Sequence, residues 1–368
     1  MWAKGITGSN GKPVSDGPYL LTNYTRGQGV TLKANPMWYG HKPKIKTVNF
    51  KIITDVNSEI QAIRGGEVDA AAPQPVPALA ALTKDKRLNY RTAPGSYDEH
   101  IDIQQGSHQI NPLARQAWFR QAMMLGIDRA GIIKAAMPGI APGLKPLNSL
   151  TFVQPDPRYN SAAKGGAFAK WNYNPQKAIN LLKAHGCTGG PSTPTNGNTS
   201  YFTCGGQLAQ ESYMTASDNA RRVASFQIIQ ANMAAIGIKI TSNLVPTSVM
   251  FGSTGASASN YDLVEFAWGG SIDPGGLVDI WGCGGPLNWL NFCNHKYTKL
   301  MNAAKTQLNP KKRDADFIKA DKITAQEVPS IPLYTLPDIV VAKKTLRNIV
   351  NNPVVGFTWN IEQWRWKK

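Results

Sequence analysis

Short stretches with strand character recur along the chain. "VTLKA" (30–34) and "TVNFKII" (47–53) alternate apolar and polar positions, and "NYRTAP" (89–94), "EHIDIQQ" (99–105), "IKITSNLV" (238–245), "YDLVEFAW" (261–268), "SIPLYTL" (330–336) and "DIVVAKK" (338–344) also read as strands. Segments of helical period lie between them. "NSEIQAIRGG" (57–66) predicts a short helix, with Asn57 or Ser58 as cap, Ile60 and Ile63 inward and Gly65 as terminator. "NPQKAINLLKAHG" (174–186) has Asn174 as cap, Pro175 at the first position and Gly186 at the end. "SDNARRVASFQIIQANMAAIG" (217–237) predicts a long amphipathic helix with Val223, Phe226, Ile229, Met233 and Ile236 on its apolar face. Further helices are expected at 76–85, 113–127, 129–137, 296–307 and 310–328. Strand–helix–strand units in series predict α/β lobes.

Composition narrows the class. A chain of 368 residues with 42% hydrophobic content is long enough for two lobes with cores of their own. Lys and Arg number 40 against 23 Asp and Glu, a formal charge of +17. The basic residues are scattered, and the densest runs (41–46, 84–87, 311–313, 365–368) are short and lack a zinc-finger or RNP pattern. They read as solvated surface, so no nucleic-acid partner is expected. No stretch approaches the roughly 18 apolar residues of a transmembrane helix. No signal-peptide pattern is present either, so the chain is cytoplasmic or has lost a leader.

Four cysteines favour the second option. Cys187 and Cys204 flank a Gly-, Ser-, Thr-, Pro- and Asn-rich loop, and Cys283 and Cys293 flank "GGPLNWLNF". Two local pairs, each closing a turn-rich loop, suggest disulfides in an oxidising compartment, with free thiols as the alternative. Zinc would require tighter spacing, and only His185 and His295 lie near a cysteine, so no metal is expected.

Catalytic signatures are missing. "GSNGKP" (8–13) has Ile6 where a P-loop needs Gly, and no GxGxxG after a strand, GxSxG or HExxH occurs. His100 and Asp102 alternate on one strand, which reads as an exposed face and not as a dyad. No catalytic residue and no cofactor are expected.

The ordered segments "SDGPYLL", "VTLKANPMWYGHKPKIKTVNFKI", "SEIQAIRGGEVDAA", "RQAMMLGIDRAGII", "NPQKAINLLKAHG", "IQANMAAIGIKI", "YDLVEFAWGGSIDP", "NHKYTKLMNAA" and "VPSIPLYTLPDIVVAKKTLRNI" together resemble the family 5 extracellular solute-binding proteins. These are the dipeptide-, oligopeptide- and nickel-type receptors of ABC importers. The resemblance implies a two-lobed α/β fold of the type II, cluster C periplasmic-binding-protein kind. It implies an N-terminal part ahead of this sequence, carrying a signal or lipid anchor and the start of lobe I. Residues 1–104 and 331–368 would then belong to an incomplete lobe I and 105–330 to the second lobe, with crossings near 102–107 and 330–336. It further implies a periplasmic or cell-surface receptor that closes on a peptide or small solute and delivers it to a permease and ATPase. Membrane contact would come only through the missing anchor or the permease. The alternatives are a peptide-sensing or chaperone-like binder uncoupled from transport, and an α/β enzyme with an unrecognised site.

On this reading Trp268 ends a strand beside the ligand, since ligands in α/β sheets sit beyond carboxyl ends of strands. Gln104, Gln105 and Tyr334 are expected near the crossings, with hydrogen bonds or packing for the ligand. Peptide-binding members place a carboxylate shortly after the tryptophan, where it pairs with the peptide's α-ammonium. The position falls on Ser271 or Gly270, neither charged, and Asp273 is the nearest acid. Room at Gly269 and Gly270 suggests a longer, blocked or neutral ligand, unless Asp273 has shifted into the site. The resemblance also supports Cys283 pairing with Cys293.

Overall fold

The computed structural model describes residues 15–106, 111–154, 156–270, 273–352 and 355–367. The principal strands are β1 (Tyr19–Thr25), β2 (Gly29–Ala34), β3 (Thr47–Lys51), β4 (Ala70–Ala71), β5 (Leu88–Ile103), β6 (Gln210–Ala216), β7 (Lys239–Val245), β8 (Leu263–Gly269) and β9 (Ser330–Lys343). The principal helices are α1 (Val56–Gly65), α2 (Ala117–Gly126), α3 (Arg129–Ala136), α4 (Pro175–Ala184), α5 (Ala220–Ala235), α6 (His295–Thr306) and α7 (Pro310–Glu327). Helix α4 has the expected cap, with Asn174 accepting from the Lys177 N–H, Pro175 first and Gly186 at φ 79°. Helix α1 starts earlier than expected: Asp55 accepts from the Ser58 N–H, and Gly66, not Gly65, takes the left-handed position at φ 80°.

Two pairs of expected strands are single long strands. "NYRTAP" and "EHIDIQQ" both lie in the 16-residue β5, and "SIPLYTL" and "DIVVAKK" both lie in the 14-residue β9. Pro94 and Pro337 lie within these long strands, since extended backbone accommodates a proline where its missing N–H is not needed for pairing. Those prolines mark a different boundary. The chain divides into one compact unit made of the described residues up to Ala93 and from Pro337 onward, and a second made of Pro94–Leu336. The crossings therefore fall at Ala93–Pro94 and Leu336–Pro337, inside β5 and β9, and not near 104 and 331.

In the first unit, β1, β2 and β3 form an antiparallel meander. Its apolar residues Leu32, Ala34, Val48 and Phe50 pack on a small core of Tyr19, Val340, Ala342, Leu346, Ile349, Ile361 and Trp364. Strand β4 pairs with the C-terminal half of β9, Ala71 opposite Val341. An open groove of about 480 Å³ runs past Val48, Phe50, Ala70, Phe357 and Trp364.

The second unit carries a mixed sheet in the order β9–β5–β8–β6–β7. Strands β6, β7 and β8 are mutually parallel where they pair, and β5 runs antiparallel to β8. Helix α5 is the crossover between β6 and β7 and packs on both. Asn219 caps α5, two residues later than the sequence pattern suggests, and Phe226, Ile229 and Met233 face inward as expected. Both disulfides form as paired in the sequence reading, Cys187 with Cys204 and Cys283 with Cys293.

Candidate functional site

Strand register builds the site. Antiparallel pairing sets Trp268 opposite Asp98, Phe266 opposite His100 and Val264 opposite Asp102. Directly opposed residues share a face and lie within side-chain contact. One face of the second unit's sheet thus carries Asp98, His100 and Asp102 from β5 and Val264, Phe266 and Trp268 from β8. Glu99 and Glu265 lie on the other.

The first face is aromatic. Trp268 meets Phe266 edge-on at 5.0 Å and Trp289 at 5.0 Å, while Phe266 and Trp289 lie 5.7 Å apart. His100 stands edge-on to Phe266 at 4.7 Å and nearly parallel to Trp268, 10° from coplanar, at 6.4 Å. Met214, Met250, Tyr261 and Val264 fill the space behind them. Trp268 is half-buried, and its indole N–H is enclosed without a hydrogen-bond partner. A donor enclosed without an acceptor is costly, and a bound acceptor would relieve it.

His100 and Asp102 are fully buried, so the expectation of an exposed alternating face is corrected. The imidazole Nε2 lies 3.4 Å from Asp102 Oδ1, and Nδ1 lies 3.0 Å from the Asp98 carbonyl oxygen and 4.0 Å from its carboxylate. Ser330 donates to Asp102 in turn. Burial alone would push the imidazole down, but Asp102 and Asp98 outweigh it and hold His100 up at about 9. Burial pushes Asp98 up to about 6 against the pull of His100.

The opposite face holds a second charged group, and sequence reasoning missed it. Arg221 and Arg222 lie on the inward side of α5 and are buried. Both pair with Glu99, at 3.0 and 2.6 Å, and outweigh its burial to hold that carboxyl at about 2. Burial and the neighbouring Glu99 push Glu265 up to about 8, and Tyr213 donates to it at 2.9 Å.

The expected ligand residues scatter. Gln104 is fully buried and its side chain is committed: Nε2 donates to the Ser259 and Trp289 carbonyls, and Oε1 accepts from Gln105 N–H, Gly106 N–H and Asn291. It positions the Trp289 loop and has nothing left for a ligand, a correction to its expected role. Tyr334 is also fully buried, its hydroxyl accepting from Arg221 at 2.7 Å, so it braces α5 and does not reach a ligand. Gln105 is half-buried and donates to the Ile103 carbonyl at 3.3 Å. Gly270 donates to the Ser96 carbonyl at 2.6 Å, and a Cβ there would sit 2.3 Å from that oxygen. Close backbone approach therefore requires this glycine. A Cβ on Gly269 would meet the Tyr97 ring at 3.2 Å. Ser271 lies outside the described residues. Asp273 is exposed and accepts from the Gly275 N–H at 2.7 Å, capping the turn Pro274–Leu277.

Among the described residues the one metal-type grouping is Cys283, Cys293 and His295, and its two sulfurs are joined to each other. Among those residues no helix is long and apolar enough to cross a membrane.

Comparison with known proteins gives the same direction. A family model described as bacterial extracellular solute-binding proteins, family 5 Middle, matches residues 2–288. The oligopeptide-binding protein OppA of Mycobacterium tuberculosis is 26% identical over 342 residues, covering 92% of this chain and 54% of that protein. The chain thus spans about half the length of that relative. The solved oligopeptide-binding protein AppA of Bacillus subtilis, in complex with a nonapeptide, aligns with a TM-score of 0.74 at 21% identity, covering 96% of this chain and 66% of AppA. NikA of Brucella suis, in complex with Fe(III)-EDTA, aligns with a TM-score of 0.80 at 18% identity, covering 98% and 71%. The two-unit α/β fold is that of the type II periplasmic binding proteins, and the chain belongs to the family 5 bacterial extracellular solute-binding proteins.

Proposed function

We propose that this chain acts in a periplasmic or cell-surface receptor that captures peptides or a related small solute and delivers them to an ABC importer's permease and ATPase. Family membership supports the reading, since the family consists of solute-binding proteins and not enzymes. The observation that carries it is Trp268, a half-buried indole at the carboxyl end of β8 with an enclosed, unpartnered N–H and an aromatic wall beside it. Such a group offers a flat apolar surface and one hydrogen-bond donor, which suits an extended backbone with spare carbonyls. No covalent chemistry is needed.

Native mass spectrometry of the protein with a defined panel of tri- to hexapeptides tests the proposal. Retention of a subset is expected, and Trp268→Ala should weaken it by about 2 kcal/mol or more, the scale of a buried aromatic anchor. Equal retention by the variant would remove Trp268 from the site. Failure to retain any peptide or small solute would remove the receptor reading.

A further inference from the structure

We infer that Asp98 is a specificity-determining residue that seats a cationic group of the ligand, an ammonium or guanidinium, against Trp268. The inference rests on the receptor reading and names the chemistry of that same site.

Charge balance on the aromatic face is the first support. Asp98 and Asp102 share a single imidazolium, His100. Asp102 is engaged through Oδ1, which faces His100 Nε2 at 3.4 Å and accepts from Ser330, while its Oδ2 is enclosed beyond a solute's reach. Asp98 is left with His100 Nδ1 at 4.0 Å and, among the described residues, no lysine or arginine pairs with either acid. Arg221 and Arg222, on helix α5, serve Glu99 on the opposite face. Tyr261, which packs near Asp102, is neutral. Ionised, the three groups carry one negative charge in excess, shared between Asp98 and Asp102.

Accessibility is the second. The Asp98 side chain keeps 14% of its exposure, whereas His100 and Asp102 keep 0% and 1%. Asp98 is therefore the member of the ladder that a solute can reach. It stands opposite Trp268 in the strand pairing, so a cation at its carboxylate would also lie beside an indole. Burial already pushes Asp98 up to about 6, the behaviour of a carboxylate short of a counter-charge.

This reverses the expectation of a neutral or blocked ligand drawn from the uncharged Gly270 and Ser271. It also relieves Asp273 of the part, since that side chain caps its own turn. The acid is supplied across the sheet, from the neighbouring strand, and not from the residues after the tryptophan.

The peptide panel, presented as free and N-acetylated forms in competition, provides the test by native mass spectrometry. The wild-type chain should retain free forms over acetylated ones by at least about tenfold, the scale for leaving one member of a buried charge pair alone. Asp98→Asn should bring the ratio to within about twofold while acetylated forms still bind, and Asp273→Asn should leave it unchanged. Lowering the pH from 7 to 5 should shrink the wild-type preference as Asp98 takes up its proton. That last measurement needs no variant and covers the case in which Asp98→Asn fails to fold. Equal or greater retention of acetylated peptides by the wild type, or an undiminished ratio in Asp98→Asn, would overturn the assignment and leave the receptor reading standing. If nothing in the panel binds, both fall.

Discussion

His100 is enclosed on all sides, and its charge is set by its two flanking carboxylates and not by water. Its pKa in the folded chain is about 9, above the 6.5 of a solvated imidazole. A raised pKa on a cationic group means that the stability it contributes is fully present below about 6.5 and is lost as pH rises through about 9. The interval corresponds to about 3 kcal/mol. The unfolding temperature should therefore fall between pH 6.5 and 9.5, and His100→Gln should flatten that slope. An equal slope in the variant would place the effect elsewhere. The residue was visible in the sequence as a period-two pattern, "DEHID", but its burial was not. Whether a strand face meets water depends on which helix or loop covers it, which local spacing does not encode. The place of Trp268 at the end of its strand was legible in the alternation of "YDLVEFAW". Gln104 and Tyr334 were misread because a polar residue near a crossing looks the same in sequence whether it faces a solute or a neighbouring loop.

Helix α5 shows the same limit at the scale of an element. Its apolar positions predicted the inward face well, but Arg221 and Arg222 share that face. A pattern of apolar residues cannot reveal a buried arginine whose partner, Glu99, lies on a distant strand. The two acids of this network differ in kind. Glu99 is held ionised by two guanidinium groups, so Glu99→Gln leaves both arginines buried and unpaired and should cost about 3–5 kcal/mol. Glu265 is raised to about 8 and is largely protonated at neutral pH, so Glu265→Gln mimics its resting form. A raised carboxyl destabilises the fold as pH climbs from 4.5 through 8. Glu265→Gln should therefore be neutral near pH 5 and stabilising near pH 8 in chemical denaturation. A large loss of stability at both pH values would show that the proton is not there. The long strands β5 and β9 were each read as two short ones. Their continuity is a tertiary fact.

For the whole molecule, the α/β class, the two units and both cysteine pairs were legible, because they rest on patterns repeated over hundreds of residues or on short loops. Register was not, and register made the site. The two units also differ in how well they are filled. The second holds both disulfides and the enclosed sheet, while the first has a small core beside an open groove past Val48, Phe50 and Phe357. Opening in the first unit should be less costly. Limited proteolysis should cut first at sites before Ala93 or after Pro337 and leave a resistant fragment close to Pro94–Leu336. Early cuts within that fragment would show that the units are equally firm.

The two crossings in β5 and β9 also have a consequence for synthesis. The second unit enters and leaves through β5 and β9, which are neighbours in its sheet. In covalent terms it is an insertion with adjacent ends, and all of its residues leave the ribosome consecutively. The first unit is stitched from an early and a late stretch. Tyr19 and the β1–β3 meander must wait for Val340, Leu346 and Trp364 before their core can close. During that interval the early stretch is an unfinished partner, and its apolar residues stay open to off-pathway association until the late stretch arrives.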